Sequence, residues 1–293
     1  MSAPAESPLD RLPPVTLVLT AVSSIQFGAA LATTLFDELG PGGVSLLRLG
    51  IAAAIMVAVW RPDPRGVPRT DLRLVVLFGL SLGGMNYFFY EALHRIPLGI
   101  AVTIEFIGPL GVAIATTRRR LDLVWAALAF AGILLLNRPG GESVDRTGLV
   151  LILLAAACWA AYIVLAQRAG RVFTGSRGLA MAMGIAVLVP LGPGIHQAGT
   201  ELLTWHFLLI GAGVALASSV IPYSLETEAL RRMPTNVFGV LMSLEPAVAA
   251  LAGFVVLGQN LDAIELAAIA LVVAASVGVT RQQGRGAAPI VEG

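Results

Sequence analysis

Long apolar runs recur along the whole chain, and they constrain its fold more than any other feature. Ten of these runs lie at 15–35, 44–60, 73–93, 98–117, 121–137, 148–167, 179–195, 206–225, 236–257 and 263–280. A helix of about 20 apolar residues is long enough to cross the hydrocarbon core of a bilayer. None of the runs alternates like the strands of a membrane barrel, and only 13% of the residues are charged, against about 25% in soluble domains. The sequence therefore predicts an all-α polytopic membrane protein with ten transmembrane helices.

The basic residues predict how these helices are oriented. All 19 are arginine, and the absence of lysine is typical of a GC-rich bacterial genome. If ten spans alternate from a cytoplasmic N-terminus, fifteen arginines fall in cytoplasmic segments and only Arg95, Arg138 and Arg146 fall outside. Such an excess on the cytoplasmic side is the general rule for membrane proteins. We therefore expect a multi-pass protein of the bacterial inner (plasma) membrane with both termini in the cytoplasm.

The two halves of the chain also repeat each other. Residues 91–97 match residues 228–234 at an offset of 137, and at the same offset the pair 108–109 matches 245–246. Five spans per copy is an odd number, so the second copy must be inverted in the membrane. Inverted repeats are typical of secondary transporters, whose binding sites lie near the midplane between the copies. We predict two inverted five-helix repeats, at residues 12–140 and 146–282.

Two acidic residues lie near the middle of predicted spans, Glu105 in the fourth and Glu245 in the ninth. An ionised carboxylate at mid-bilayer costs about 2.5–3.5 kcal/mol or more, so such residues usually face a cavity and mark a transport pathway. Both are candidates for proton coupling, the alternative being a protonated side chain that holds two helices together. Pro109 and Pro246 should kink these helices and free the carbonyls of Glu105 and Met242, either to line a cavity or only to shape the packing.

Other polar and aromatic side chains at membrane depth are candidates for binding a substrate. With Glu105 they are Gln26, Asn86, Tyr87, Tyr90, Trp159, Tyr162, Tyr223 and Ser224. A zwitterionic amino acid needs donors for its carboxylate and an acceptor for its ammonium group. Gln26, Asn86 and a tyrosine hydroxyl fit the first need, and Glu105 fits the second. The alternative is ordinary hydrogen bonding between helices, with some of the tyrosines forming an interfacial belt.

Charged residues nearer the ends of the spans are expected to serve the solvated surface. Arg48 could attract the carboxylate of a substrate, but we expect it to reach the outer surface along its aliphatic stem, or to pair with Asp37 or Glu38. Glu91 and Glu226 should lie in solvated vestibules, as should Glu228. The sequence therefore assigns none of these charges to the binding site.

Several stretches resemble a known family of transporters. They include Glu105-Phe-Ile-Gly-Pro109 and Leu241-Met-Ser243-Leu-Glu245-Pro246, with residues 24–30, 81–90, 97–102, 158–162 and 222–226. The two halves resemble EamA-type repeats of the drug/metabolite transporter superfamily, and these stretches resemble its threonine/homoserine exporter branch. The resemblance implies alternating-access export of small amino acids, driven by proton antiport. It leaves open an EamA-type exporter of other metabolites or drugs.

Other classes of protein are less compatible with the sequence. A net charge of +1 indicates no excess of basic residues of the kind that binds nucleic acid. Gly79-Leu-Ser81-Leu-Gly83 fits the G-x-S-x-G string of serine hydrolases, but it lies inside an apolar span, where spaced glycines favour close helix packing. A membrane-embedded enzyme or receptor remains the alternative class. We expect no enzymatic activity, metal or cofactor; the expected partners are a small zwitterionic amino acid or similar metabolite, protons and the bilayer, in a monomer or homodimer.

Reporter fusions test the predicted topology. A reporter active only in the cytoplasm should be active after Arg65, Arg120 or Arg177 and inactive after Gly141, because the arginine excess places only the last of these positions outside. Fusions to an enzyme that is active only in the periplasm provide the complementary measurement. A cytoplasmic result after Gly141 would show that the number of spans is wrong.

Overall fold

The structure, a computed structural model, describes residues 12–63, 65, 67–116, 120–136, 145–173, 177–233 and 235–286, and within them all regular secondary structure is helical. The helices are α1 Pro14–Thr33, α2 Phe36–Trp60, α3 Arg69–Leu93, α4 Leu98–Glu105, α5 Ile107–Thr116, α6 Arg120–Leu136, α7 Arg146–Val172, α8 Arg177–Ala186, α9 Leu188–Ala198, α10 Trp205–Ala215, α11 Ile221–Arg232, α12 Thr235–Met242, α13 Glu245–Leu257 and α14 Ala263–Gly286. A 3₁₀ turn, Gly199–Leu203, follows α9, and a π-helical turn, Leu216–Val220, joins α10 to α11.

Six helical segments are long and apolar enough to cross a membrane: Pro14–Thr33, Phe36–Trp60, Arg69–Leu93, Arg146–Val172, Arg177–Leu203 and Val237–Leu257. Shorter apolar helices cover Leu98–Val112, Trp205–Val220 and Ala263–Gly278. The protein is therefore a helical, polytopic membrane protein. Helices occupy all ten predicted spans, although residues 117 and 137–140 lie outside the described residues. The number of crossings and the inversion of the repeats stay predictions.

Side-chain amides join helices at one end of the bundle. The Gln197 Oε1 atom accepts a hydrogen bond from the backbone N–H of Gly42 at 2.7 Å, and its Nε2 donates to Glu91 at 3.1 Å. Gln259 Oε1 accepts from the backbone N–H of Leu98 at 3.0 Å. We call this the Gln197 end.

The opposite end carries the connection between α2 and α3. There Arg61, Pro62, Asp63 and Val67 line a groove together with Val172, Phe173, Arg177 and Met181, from the end of α7 and the beginning of α8. We call this the Arg61 end. Each long helix therefore has one terminus at the Gln197 end and the other at the Arg61 end.

Helix α2 begins earlier than the predicted start at 44. The sequence Gly40-Pro41-Gly42-Gly43 is typical of a turn, and Gly40 does adopt a left-handed φ of 65°. From Pro41 onward, however, the chain is helical. Gly42 and Gly43 pack so closely on Gln197 and Ala198 that a Cβ would not fit. The glycines therefore serve helix packing rather than ending the helix.

The apolar core is divided unevenly between the two ends. One large cluster lies between mid-bundle and the Gln197 end, with Leu39, Tyr90, Leu98 and Ile104 among its fully buried members. Towards the Arg61 end the buried side chains form separate, smaller clusters, as where α1 meets α11 and where α3 meets α7 and α8. Among the described residues, the packing is therefore continuous at one end and interrupted at the other.

Close helix contacts in the bundle use small residues. A Cβ at Gly79 or Gly83 of α3 would meet the carbonyl oxygens of Ala182 or Ala186. The glycine string in this span is thus placed for helix packing, as its spacing predicts.

Four of the helical segments are interrupted near mid-bundle. The backbone leaves the α-helix at Phe106 between α4 and α5, and at residues 243–244 between α12 and α13. Pro109 and Pro246 follow these two interruptions within a few residues. The third interruption is the π-helical turn Leu216–Val220, and the fourth is Val187, between α8 and α9. Irregular backbone at membrane depth is tolerated where it lines a cavity or is buried in protein, so these positions direct attention to the middle of the bundle.

Gly108 and Gly111 lie on the same helix but in different surroundings. A Cβ at Gly108 would meet the carbonyl oxygen of Ala156 in α7, whereas a Cβ at Gly111 would meet nothing within 4 Å. We expect Gly108→Ala to lower the thermal midpoint of the purified protein in detergent by several degrees, since overpacking costs about 1–3 kcal/mol. Gly111→Ala is the matched control and should leave the midpoint unchanged or slightly raised. Size-exclusion profiles after heating measure both, and equal midpoints would contradict this packing of α5 on α7.

Candidate functional site

A cavity of about 210 Å³ lies in the middle of the bundle, next to three of the four interruptions of the helices. Helices from both halves of the chain contribute to its wall. The lining residues are Ile25, Gln26, Ala29, Arg48, Met85, Asn86, Phe89, Val102, Glu105, Trp159, Tyr162, Ser218, Glu226, Met242 and Glu245. The cavity thus combines an apolar and aromatic surface with a few polar groups, as small-molecule sites usually do.

Arg48 is the cation of this cavity, and it is 9% exposed. Its Nη1 donates a hydrogen bond to the Tyr90 hydroxyl at 3.0 Å. Its Nη2 donates to the Ser218 carbonyl oxygen at 3.2 Å and to Ser219 Oγ at 3.4 Å. The guanidinium carbon lies 5.5 Å from the centroid of the Tyr90 ring. These contacts orient the guanidinium, while its Nε has no hydrogen-bond partner among the described residues.

The π-helical turn supplies part of this arrangement. In a π-helix each N–H bonds five residues back, so carbonyls of the turn become available to other groups. The Ala217 carbonyl accepts a hydrogen bond from Ser24 Oγ of α1 at 2.5 Å, and the Ser218 carbonyl accepts from Arg48 of α2. The turn therefore attaches both α1 and α2 of the first half to the second half of the chain.

The expectation for Arg48 is wrong. Arg48 neither reaches a surface nor pairs with Asp37 or Glu38, but lies buried on the cavity. The reason is the early start of α2, because a helix that already runs from Pro41 places Arg48 about two turns inside the bundle. An intramembrane arginine at that depth is a candidate functional residue.

Three carboxyl groups share the cavity with this single guanidinium. Glu105 is 7% exposed and Glu245 is 5% exposed. Glu226 also lines the cavity, and its Oε1 is buried without a hydrogen-bond partner among the described residues. The charge of Glu105 interacts with that of Arg48, and the charge of Glu245 with those of Glu105 and Glu226. The expectation of a solvated vestibule for Glu226 is therefore wrong.

Six of the residues selected from the sequence line the cavity: Gln26, Asn86, Glu105, Trp159, Tyr162 and Glu245. Gln26 Oε1 is buried without a hydrogen-bond partner in the described part of the chain. Asn86 Nδ2 donates to the Leu82 carbonyl at 2.8 Å, which leaves its carbonyl oxygen for other contacts. The Trp159 ring packs edge-on against Phe106, with ring centroids 5.4 Å apart.

The remaining candidates lie elsewhere. Tyr90 is fully buried, and its hydroxyl accepts a hydrogen bond from Arg48. It does not line the cavity. Tyr87 is half-buried, interacts with Glu91, and is also outside the lining. Tyr223 and Ser224 lie in α11, but their side chains are outside the described residues.

Sequence reasoning missed Arg48, Glu226 and the Ser218 carbonyl. Arg48 and Glu226 are charged residues inside apolar runs, which is a usable signal once the ends of the runs are placed correctly. The Ser218 carbonyl is available because of the π-helical turn, and no pattern in the sequence marks that turn.

Comparisons with known proteins agree with this architecture. A family model described as the EamA-like transporter family matches residues 146–281. The threonine/homoserine exporter RhtA of Escherichia coli is 44% identical to this chain over 269 residues, which cover 91% of both proteins. RhtA of Salmonella typhimurium is similar to the same extent.

More distant proteins share the architecture as well. A protein of Escherichia coli described as the uncharacterized inner membrane transporter YedA is 28% identical over 249 residues, covering 81% of this chain and 80% of that protein. A solved crystal structure superposes with a TM-score of 0.57 at 21% identity, covering 92% of this chain and 99% of that one. At that level of identity the likeness concerns the fold alone.

Proposed function

This chain belongs to the EamA-like transporter family, in the branch of the threonine/homoserine exporters, and we propose that it exports small amino acids of that type across the bacterial inner membrane. The observation that carries the proposal is the meeting of a guanidinium and carboxyl groups in one buried cavity. A zwitterionic amino acid carries the two complementary charges. Its transfer into this cavity replaces the water around both charges with fixed polar groups.

The size of the cavity favours a small substrate. Its volume of about 210 Å³ is below the range of about 300–1,000 Å³ that is typical of drug-sized ligands. Aromatic and aliphatic side chains such as Phe89, Trp159 and Met242 make up much of the remaining wall. The volume therefore supports an amino acid over the larger drugs that other exporters of this superfamily carry.

The unequal packing of the two ends supports alternating access. The continuous apolar cluster closes the Gln197 end, and the amides of Gln197 and Gln259 join helices there. At the Arg61 end the clusters are smaller and separate. With both termini in the cytoplasm, as the arginine positions predict, the Gln197 end faces the periplasm. A site closed to the periplasm is the state in which an exporter loads its cargo.

Glu105 is our proposal for the group that couples export to protons. It lies on the cavity at the end of α4, where its charge interacts with that of Arg48. Glu245 and Glu226 share the cavity, so protonating one carboxyl group removes like-charge repulsion from the others. In our scheme Glu105 binds a proton from outside in one state and the substrate ammonium group from inside in the other. Glu245 is the second candidate.

Inverted repeats at residues 12–140 and 146–282 would provide the two states of alternating access, one open to each side of the membrane. A rocking motion of one repeat against the other opens each side in turn in transporters built this way. Arg48 of the first repeat contacts Ser218 and Ser219 of the second, so the proposed site lies on the interface that such a motion changes. We predict that a rotation about a two-fold axis in the membrane plane superposes one repeat on the other.

Export of labelled amino acids tests the proposed function. Cells that express the protein should release labelled homoserine and threonine faster than cells with an empty vector, because the cavity offers groups for both charges of the substrate. The measurement is the label remaining in the cells after transfer to unlabelled medium. If both amino acids are retained equally with and without the protein, while another metabolite is exported, the substrate assignment is wrong.

Glu105→Gln tests the coupling. A zwitterion carries no net charge, so exchange for one proton moves one positive charge inward. A potential of 100 mV then contributes about 2.3 kcal/mol per charge, which sustains a concentration ratio of about fiftyfold. We expect wild-type proteoliposomes to approach that ratio and the Gln variant to stay near unity, because the amide cannot release a proton.

The matched control is Glu38→Gln, at an exposed position at the start of α2. It should build the same gradient as the wild-type protein. Counterflow without a driving force should persist weakly in the Glu105 variant, since the amide still accepts a hydrogen bond. Parental export with unchanged pH dependence in Glu105→Gln would show that Glu105 is structural.

A further inference from the structure

We propose that Arg48 binds the carboxylate of the exported amino acid and thereby selects zwitterions over amines. This inference rests on the proposed function and adds a specificity-determining residue that the sequence assigned to the surface. It follows from the burial of Arg48, from its neutral partners, and from the acceptors on the rest of the cavity wall.

Arg48 is a buried cation held by neutral groups. Its three acceptors are a phenolic hydroxyl, a backbone carbonyl and a serine hydroxyl. Among the described residues, no carboxylate forms an ion pair with it. A buried charge is costly unless a counter-charge compensates it. The carboxyl groups of Glu105, Glu226 and Glu245 share the cavity without such a contact, so the guanidinium is left to bind an anionic partner directly.

Arg48 also has one hydrogen-bond donor without a partner in the described part of the chain. It lines the cavity, it is about nine-tenths buried, and its Nε–H has no hydrogen-bond partner within the described residues. Arginine is suited to planar recognition of carboxylates, since its donors form a rigid fork. Tyr90, Ser218 and Ser219 already accept hydrogen bonds from the two Nη atoms, so they hold the guanidinium in place and little rotational freedom is lost on binding.

The remaining polar wall suits the other charge of an amino acid. Glu105 provides carboxylate oxygens, and Gln26 provides a buried Oε1 without a partner in the described chain. Both are acceptors, as an ammonium group requires. A zwitterion with its carboxylate at Arg48 and its ammonium near Glu105 satisfies both sides. An amine that lacks the carboxylate leaves Arg48 uncompensated and is disfavoured.

Competition between threonine and threoninamide tests this inference. The two molecules have nearly the same shape, but the amide has no carboxylate. The purified full-length protein is reconstituted into proteoliposomes, and counterflow of labelled threonine is inhibited by each unlabelled compound. The wild-type protein should prefer threonine by at least tenfold. Arg48→Gln should lose at least tenfold in threonine affinity while its affinity for threoninamide changes little, so that the preference disappears.

Arg48→Lys should give an intermediate preference, because lysine keeps the charge but lacks the fork. The control variant is Arg69→Gln, an exposed arginine at the start of α3 that does not line the cavity; its preference should be that of the wild-type protein.

Tyr90→Phe keeps the guanidinium and removes one of the groups that hold it in place. It should lower the affinity for threonine more than that for threoninamide, and it decides the matter if the Arg48 variants fail to fold.

The outcomes separate this inference from the proposed function. A wild-type protein that exchanges neither threonine nor homoserine overturns the proposed function and this inference with it. Exchange by the wild-type protein with an unchanged preference in Arg48→Gln overturns the inference alone. The same holds for an unchanged preference in Tyr90→Phe if the Arg48 variants do not fold.

Discussion

The interior of a bilayer offers no water to backbone N–H and C=O groups, so each must find a partner within the protein. This constraint accounts for the helical character of the described chain, and it makes the exceptions informative. Three of the four interruptions near mid-bundle border the cavity, as Glu105, Ser218 and Glu245 lie at or next to them. At the π-helical turn the released carbonyls have found partners in Ser24 and Arg48. Irregular backbone and the functional site thus coincide.

The hydrophobic runs were long enough to predict where the helices lie, because the cost of exposing backbone in lipid outweighs local propensity. The predicted start of the second span was less accurate. It lay at 44, yet tertiary packing against Gln197 and Ala198 makes residues 41–43 part of α2. The late start placed Arg48 near the end of its span, whereas it lies deeper in the bundle. Glu105 and Glu245 were easier to find, since each lies near the middle of its apolar run.

Equivalent positions of the internal sequence repeat carry different residues at the cavity. Glu105 and Met242 are 137 residues apart, at the offset of the repeat, and both line the cavity. At the same offset Gly108 corresponds to Glu245, and Gly108 packs directly on the backbone of α7. In each pair one position is acidic and the other is apolar or tightly packed, and the two acidic positions come from opposite halves of the chain.

The large apolar cluster between mid-bundle and the Gln197 end also insulates the cavity electrically. Helix α13 has 13 residues, from Glu245 at the cavity to Leu257 near the Gln197 end, and at 1.5 Å per residue it spans about 20 Å. That is most of a hydrocarbon core about 30 Å thick. Such a layer of low dielectric carries most of the voltage drop when solvent reaches the cavity from the other side. In the proposed orientation, with the Gln197 end towards the periplasm, membrane voltage then acts chiefly on the step that opens this layer, and much less on loading from the cytoplasm.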